Sequence, residues 1–330
     1  MWPCIVLLLW ACIGTFVCAK LLTARRLIIL STNLYETKTL KPEFLAFARR
    51  DAKELPSLPL LVLRAYTLGV FFGISLVLAV ITAGLSAVAL PSKVLPRAIV
   101  LCARWILWST GITVRHKGER ARVHEAPCLV ANHNSAFDII VLLTERCCFV
   151  SMDAVRSIPV VGKVAEALGC IFVARDCKES RQSAKEKMAA RLTSQVEGTS
   201  KMPCQLVVFP EGSTNNGFCM LMFRRGAFEA NVPIQPLWIE FADHTLNFTV
   251  VSLSELGALA CSLPSREVTL HWCPVVPPDA KRPPETTAEL ARQSIASLKS
   301  AYGHPKLELM DASASHRDAI ACANYMRSSS

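Results

Sequence analysis

Two stretches of this chain contain no charged side chain, residues 1–19 and residues 65–92, and nothing else in the sequence constrains the fold as strongly. An α-helix needs ~20 apolar residues to cross the ~30 Å hydrocarbon core of a bilayer, and each stretch is long enough to do so. The second is the stronger signal, with Phe71, Phe72, Ile74, Leu76, Val77, Leu78, Val80 and Ile81 in one run. For the first, a cleaved signal peptide competes with an uncleaved anchor. The anchor is favoured because no positive charge precedes the apolar core, whereas Lys20, Arg25 and Arg26 follow it. The positive-inside rule then places Lys20 in the cytosol.

The connector between the two runs has the opposite character. Residues 20–64 hold Lys20, Arg25, Arg26, Lys38, Lys41, Arg49, Arg50, Lys53 and Arg64 against only Glu36, Glu43, Asp51 and Glu54, a large part of the +10 of the whole chain. Beside apolar helices such a segment suits anionic headgroups, where each basic residue near the surface is worth about 1 kcal/mol. A nucleic-acid partner is not expected, since no zinc finger, basic zipper or aromatic RNA-binding signature accompanies the charge. With 52% apolar and 19% charged residues over 330 positions, the chain is neither disordered nor an ordinary soluble enzyme. Its 14 cysteines are scattered without C-x-x-C or Cys/His zinc spacing, so they are expected to be mostly buried free thiols, and no metal site is expected. Residues 98–112, with Arg104, Trp105 and Trp108, suit a helix at headgroup depth.

From about residue 113 short β-rich runs alternate with helical ones. Strands are expected at 127–131, 169–174, 205–209 and 234–241, and helices at 137–143, 178–197 and, briefly, 223–230. A capping-box pattern at Thr286–Glu289 is expected to open a last helix that Gly303 ends. The fold class is therefore α/β: a mixed sheet flanked by helices, preceded by N-terminal membrane helices.

His133 and Asp138 stand five residues apart at the exit of the first strand. On one helix face the spacing would be three or four. In a turn, however, the carboxylate can meet one imidazole nitrogen and leave the other outward, which makes a general base. A satisfied turn histidine has the same signature. Three further blocks weigh on the choice: Gly169–Arg175 ends a strand on a cation, Phe209–Ser213 breaks a strand into a turn bearing Glu211, and Val232–Ile234 opens another strand. G-x-S-x-G and H-E-x-x-H are absent from the chain, which removes the serine-esterase and zinc-hydrolase readings.

In this order and spacing, from about residue 114 to 303, the blocks resemble the glycerolipid acyltransferase superfamily, which includes the 1-acylglycerol-3-phosphate acyltransferases. The resemblance implies that His133 is the base and Asp138 its partner, that the hydroxyl of a lysophospholipid attacks acyl-CoA, and that Arg175 meets the acceptor phosphate. It implies that Glu211, Gly212 and Ser213 shape the acceptor site, with Asn216 and Arg224 beside them. Acyl-CoA would be a co-substrate, with no cofactor. Domains follow: a membrane anchor region with a basic connector over residues 1–92, an acyltransferase domain over 93–303 and a tail over 304–330.

Thr214 departs from members that use lysophosphatidic acid, which commonly carry an Arg there. The stretch Glu211–Phe228 instead resembles the E-G-T-T-T-N-G form of the lysophosphatidylcholine and lysophosphatidylethanolamine acyltransferases, and Ile158–Gly162 resembles their L-P-L-V-G. A phosphodiester carries one charge and a monoester about two, so a missing cation suits the diester, although Arg224 and Arg225 remain nearby. The branch implies an enzyme of a membrane, the endoplasmic reticulum, with phosphatidic acid synthesis or an inactive lipid-binding protein as alternatives. The side on which His133 lies depends on whether residues 65–92 span or re-enter, and the sequon at Asn247 is a candidate probe of that side.

Overall fold

The computed structural model describes residues 2–38, 44, 53, 55–91, 94–174, 177–200, 204–242, 244–247, 249–263, 266–302, 308–309, 321–322, 324–325 and 328. The first apolar run does not stop at Ala19. Helix α1 continues from Trp2 to Glu36 through the basic residues, because Lys20, Arg25 and Arg26 sit on a helix whose other face is buried at Leu21, Ala24, Leu27 and Ile28. The second run begins early, at α2 (Leu58–Arg64), and passes through a π-helical turn at Ala65–Gly69 into α3 (Val70–Ala89). The stretches Ile5–Glu36 and Leu58–Ala89, 32 residues each, are long and apolar enough to cross a membrane.

The two cross at the π-turn. Trp10 Nε1 donates to the Tyr66 carbonyl at 2.8 Å, and the hydroxyls of Thr15 and Tyr66 lie 2.9 Å apart. Beyond that crossing α3 lies against the rest of the protein. Ser75 Oγ meets Ser109 Oγ at 2.7 Å and accepts from Trp105 Nε1 at 2.9 Å, both on α4 (Leu95–Ser109). Helix α4, expected at headgroup depth, buries Ile99, Cys102, Ala103 and Ile106 and leaves Leu101, Arg104 and Trp108 exposed.

The strands are β1 (Ile112–Lys117), β2 (Cys128–Ala131), β3 (Cys148–Met152), β4 (Ile171–Val173), β5 (Leu206–Val208), β7 (Ile234–Phe241) and β8 (Arg266–Trp272), in the order β1-β8-β7-β2-β5-β3-β4, with β6 (Cys219–Met220) paired separately to β9 (Glu308–Leu309) of the tail. All neighbours in the large sheet are parallel except β7 and β8. The sheet is thus mixed, as its sequence pattern leads one to expect. Its central strand β2 is buried at every residue, and alternation sends Leu129 and Ala131 to one face and Cys128 and Val130 to the other. The first face packs on α1, α5 (Phe137–Thr144) and α8 (Leu253–Ser262), the second on α7 (Lys178–Val196) and α9 (Pro284–Ala301). The expected strands and long helices therefore stand close to their anticipated bounds.

Two local expectations fail. Residues 223–230 form only a 3-10 turn at Arg225–Ala227, because Arg224 is extended (φ −76°, ψ 135°) and Phe223 and Phe228 are both drawn into the core. The capping box at Thr286–Glu289 does not form, since α9 already starts at Pro284, whose missing N–H suits a first helical position. A capping box does open α8, between Ser252 and Glu255. Gly303 lies outside the described residues.

Helix α6 (Val161–Ala167) begins within the I-P-V-V-G segment, at Val161. A Cβ added to Gly162 would clash with the Arg156 carbonyl oxygen, a backbone atom that cannot swing aside. Gly162→Ala is therefore expected to destabilise the fold by about 1–3 kcal/mol, read as a lowered midpoint in thermal unfolding of the detergent-solubilised protein.

Candidate active site

Strands β2 and β5 are adjacent and parallel, with Val130 opposite Val208, so the chain leaves both at the same edge of the sheet. In open α/β sheets that carboxyl edge is where ligands bind. His133 follows β2 by two residues and Glu211 follows β5 by three, and this is why blocks 78 residues apart in sequence meet: the His133 N–H donates to Glu211 Oε1 at 3.0 Å.

The six residues from His133 to Asp138 form the turn that the spacing anticipates. Asp138 Oδ2 accepts from the backbone N–H of Asn134 at 2.8 Å and of Ser135 at 2.9 Å, and it lies 2.9 Å from His133 Nδ1. A carboxylate oxygen holding two N–H donors is acceptor-only, so Nδ1 carries a proton and Nε2 presents its lone pair. Asp138 is fully buried, and His133 is its one ion-pair partner among the described residues. The imidazole stacks on Phe209, with centroids 4.1 Å apart and planes at 17°. Phe209 in turn lies 6.3 Å from Phe149, at 9°. The ring is thus held by a hydrogen bond at one edge and by an aromatic face.

The remaining residues singled out in the sequence separate. Glu211 is 1% exposed; besides the His133 N–H, its carboxylate accepts from Asn215 Nδ2 at 2.6 Å and the Leu221 N–H at 2.8 Å. It therefore ties the two blocks together from inside. Asn216 is also buried: its Oδ1 accepts from the Phe218 N–H at 3.1 Å and its carbonyl from Asn247 Nδ2 at 2.5 Å. Gly212 adopts φ +78°, where a side chain is strained, and a Cβ there would lie 2.8 Å from Arg224 Nε. That contact places the exposed Arg224 over the Glu211–Gly212 turn. Arg225 points elsewhere, 3.0 Å from Glu285 and 3.4 Å from Glu229. Ser213 Oγ is buried with no partner among the described residues. Arg175 lies outside the described residues.

The roles of Phe209 and Asn215 are not visible in the sequence. The one visible sign was that both border the E-G block; neither residue type identifies a stacking partner or, for Asn215, the N–H that donates to the His133 carbonyl at 3.0 Å. The sequon at Asn247 loses its use as a probe, because Asn247 is 1% and Thr249 5% exposed, so glycosylation is blocked on either side of a membrane.

Residues 112–240 match the family model described as Acyltransferase. Over that span the chain is similar to the glycerolipid acyltransferase superfamily. It is 28% identical over 206 residues to rat "Lysophosphatidylcholine acyltransferase 2B", covering 60% of this chain and 39% of that protein. It is 34% identical over 151 residues to mouse "Lysophosphatidylcholine acyltransferase 2" (45% and 27%) and 34% identical over 143 residues to Arabidopsis thaliana "Lysophospholipid acyltransferase LPEAT2" (43% and 25%). The chain thus spans well under half the length of these relatives. The crystal structure of the 1-acyl-sn-glycerophosphate acyltransferase PlsC from Thermotoga maritima is similar with a TM-score of 0.49 and 17% identity, over 75% of this chain and 95% of that one. The acyltransferase match contains the His133 and Glu211 blocks and ends within β7.

Within this matched region burial pushes the Glu211 carboxyl up to about 8, against the opposing pull of the Leu221 and His133 N–H groups, Asn215 and Arg292. The folded protein therefore holds a proton that the unfolded chain releases near 4.5, and this contribution to stability is lost as pH rises from about 4.5 to about 8. Thermal midpoints across that range are expected to fall in the wild type relative to Glu211→Gln, which has no such proton to release; parallel curves would exclude the linkage.

Proposed function

We propose that this chain is a membrane acyl-CoA:lysophospholipid acyltransferase, transferring an acyl chain to the free glycerol hydroxyl of lysophosphatidylcholine or lysophosphatidylethanolamine. The observation that carries the proposal is the His133–Asp138 pair, with Nδ1 engaged by the carboxylate and Nε2 left to accept a proton. The acceptor hydroxyl gives its proton to Nε2 as its oxygen attacks the thioester carbonyl. The tetrahedral adduct collapses with loss of the CoA thiolate, which recovers the proton from Nε2. Asp138, buried and with no other ion-pair partner among the described residues, stabilises the imidazolium between the two transfers. Phe209 keeps the ring plane fixed, so orientation is set before substrate arrives.

Arg224 over the Gly212 turn supplies one positive charge where the acceptor headgroup would lie, and the superfamily resemblance adds Arg175. Thr214 in place of an Arg, and the names of the relatives, favour the phosphodiester acceptors over lysophosphatidic acid. Helix α3 rests on α4 at Ser75 and reaches Val160, just before α6, at Gly84. This supports a re-entrant path in which the site stays on the cytosolic side, with acyl-CoA, at the endoplasmic reticulum membrane.

His133→Ala and Asp138→Asn are expected to lower acyl transfer from labelled acyl-CoA by about two to four orders of magnitude while leaving membrane association intact; turnover near the wild-type rate in His133→Ala would overturn the mechanism. In a parallel assay of three acceptors, lysophosphatidylcholine or lysophosphatidylethanolamine is expected to be used in preference to lysophosphatidic acid. The reverse order would sink the acceptor assignment, and an inactive wild type would leave a lipid-binding protein.

A further inference from the structure

Away from the active-site edge, the chain brings together two thiols and a guanidinium that the acyl-transfer scheme does not use. Cys148 opens β3 and Cys204 lies two residues before β5, and their sulfurs are 3.4 Å apart. Arg191 of α7 directs Nη2 at both, 2.6 Å from Cys148 Sγ and 3.2 Å from Cys204 Sγ, and donates through Nη1 to the Gly169 carbonyl at 2.7 Å. Among the described residues no carboxylate forms an ion pair with Arg191, and its Nε is buried without a partner. A cation facing two sulfurs and no carboxylate favours a thiolate.

The two thiols differ in access. Cys148 is fully buried, whereas Cys204 is only partly buried. The Cys148 hydrogen bond and Arg191 hold the Cys204 thiol below the usual thiol range, against the desolvation that opposes ionisation. Burial pushes Cys128, Cys147, Cys261, Cys273 and Cys322 up to about 12.

We propose that Cys204 and Cys148 form a peroxide-reactive pair that closes a reversible disulfide between β3 and the lead into β5. In the first step the Cys204 thiolate attacks hydrogen peroxide: the O–O bond breaks, one oxygen stays on sulfur as a sulfenic acid, and hydroxide leaves. In the second the Cys148 sulfur attacks Cys204, the S–O bond breaks, and the released hydroxide and the thiol proton leave as water. Two thiols and one peroxide thus give one disulfide and two waters. The sulfurs need to approach by only about 1.4 Å to reach bonding distance. The sheet register, with Cys148 opposite Leu206, holds both chain segments in place for that approach.

The test uses the reduced wild-type full chain in detergent at pH 7, treated with hydrogen peroxide, blocked with maleimide, digested and sequenced by mass spectrometry so that Cys148 is distinguished from Cys147. A Cys148–Cys204 cross-link that dithiothreitol reverses is expected. In Cys148→Ser the oxidation is expected to stop at a Cys204 sulfenic acid that dimedone tags. Cys204 is expected to react with iodoacetamide roughly tenfold faster than the half-buried Cys177. In Arg191→Met that advantage is expected to shrink at pH 7 and to return by pH 9, a pH dependence that a purely structural arginine would not produce. Cys204 reacting no faster than Cys177, or a cross-link that joins Cys204 to other cysteines as often as to Cys148, would overturn the proposal.

Discussion

The buried carboxylate of Glu211 is the contact on which the rest of the site depends. It reaches from the exit of β5 to the first residue beyond β2 and gathers three N–H donors, two of them from the backbone. Burying a carboxyl group is costly unless it is hydrogen-bonded, so these donors, the nearby Arg292 and the proton that it holds up to about pH 8 are what make its position tolerable. In return it fixes where the loop carrying His133 leaves the sheet. Asp138 performs a similar task within the His133 turn: its Oδ2 takes two backbone N–H groups and the imidazole, while its Oδ1 is buried with no hydrogen-bond partner among the described residues. Two acidic residues thus build a rigid frame in which one nitrogen of one ring remains uncommitted.

That frame stands at the carboxyl edge of parallel strands, and the apolar helices surround the opposite concern, attachment. Helix α1 buries only one face over its C-terminal half, and much of its N-terminal half is exposed apolar surface, including Ile5, Leu7, Leu8 and Leu9. Helix α3 exposes Phe71, Ile74, Val77, Leu78, Ile81, Leu85 and Val88 while its other side packs on the domain. Exposed apolar area on this scale is rare on a soluble monomer. The fold therefore joins a polar site to a surface suited to lipid, a combination that the proposed bilayer-resident acceptor would require.

Much of the organisation was legible beforehand because it rests on local periodicity. The fourfold spacing of Ala184, Met188 and Leu192 specifies α7, and the unbroken apolar run at 128–131 specifies a strand buried on both faces. Where local signals competed they were less reliable. Pro284 set the start of α9 ahead of the Thr286–Glu289 pattern, and the pull of Phe223 and Phe228 into the core prevented a helix at 223–230. Of the site, the His133–Asp138 turn was visible because both partners lie within six residues. The roles of Phe209 and Asn215 were not, since each depends on a neighbour brought by strand pairing.

By itself the sequence determined two charge-free apolar runs with a basic connector, an α/β sheet and a His/Asp turn, because each follows from composition or spacing over a few turns of chain. Only the tertiary structure decided that Glu211 and Asn216 face inward, that Arg224 rather than Arg225 lies over the Gly212 turn, and that α3 rests on the domain. It also decided that Cys148 and Cys204, 56 residues apart, share one arginine. The physical reason is common to all four. Burial and pairing of polar groups are set by what strand register and helix packing bring alongside, and no periodicity in the chain encodes that neighbour.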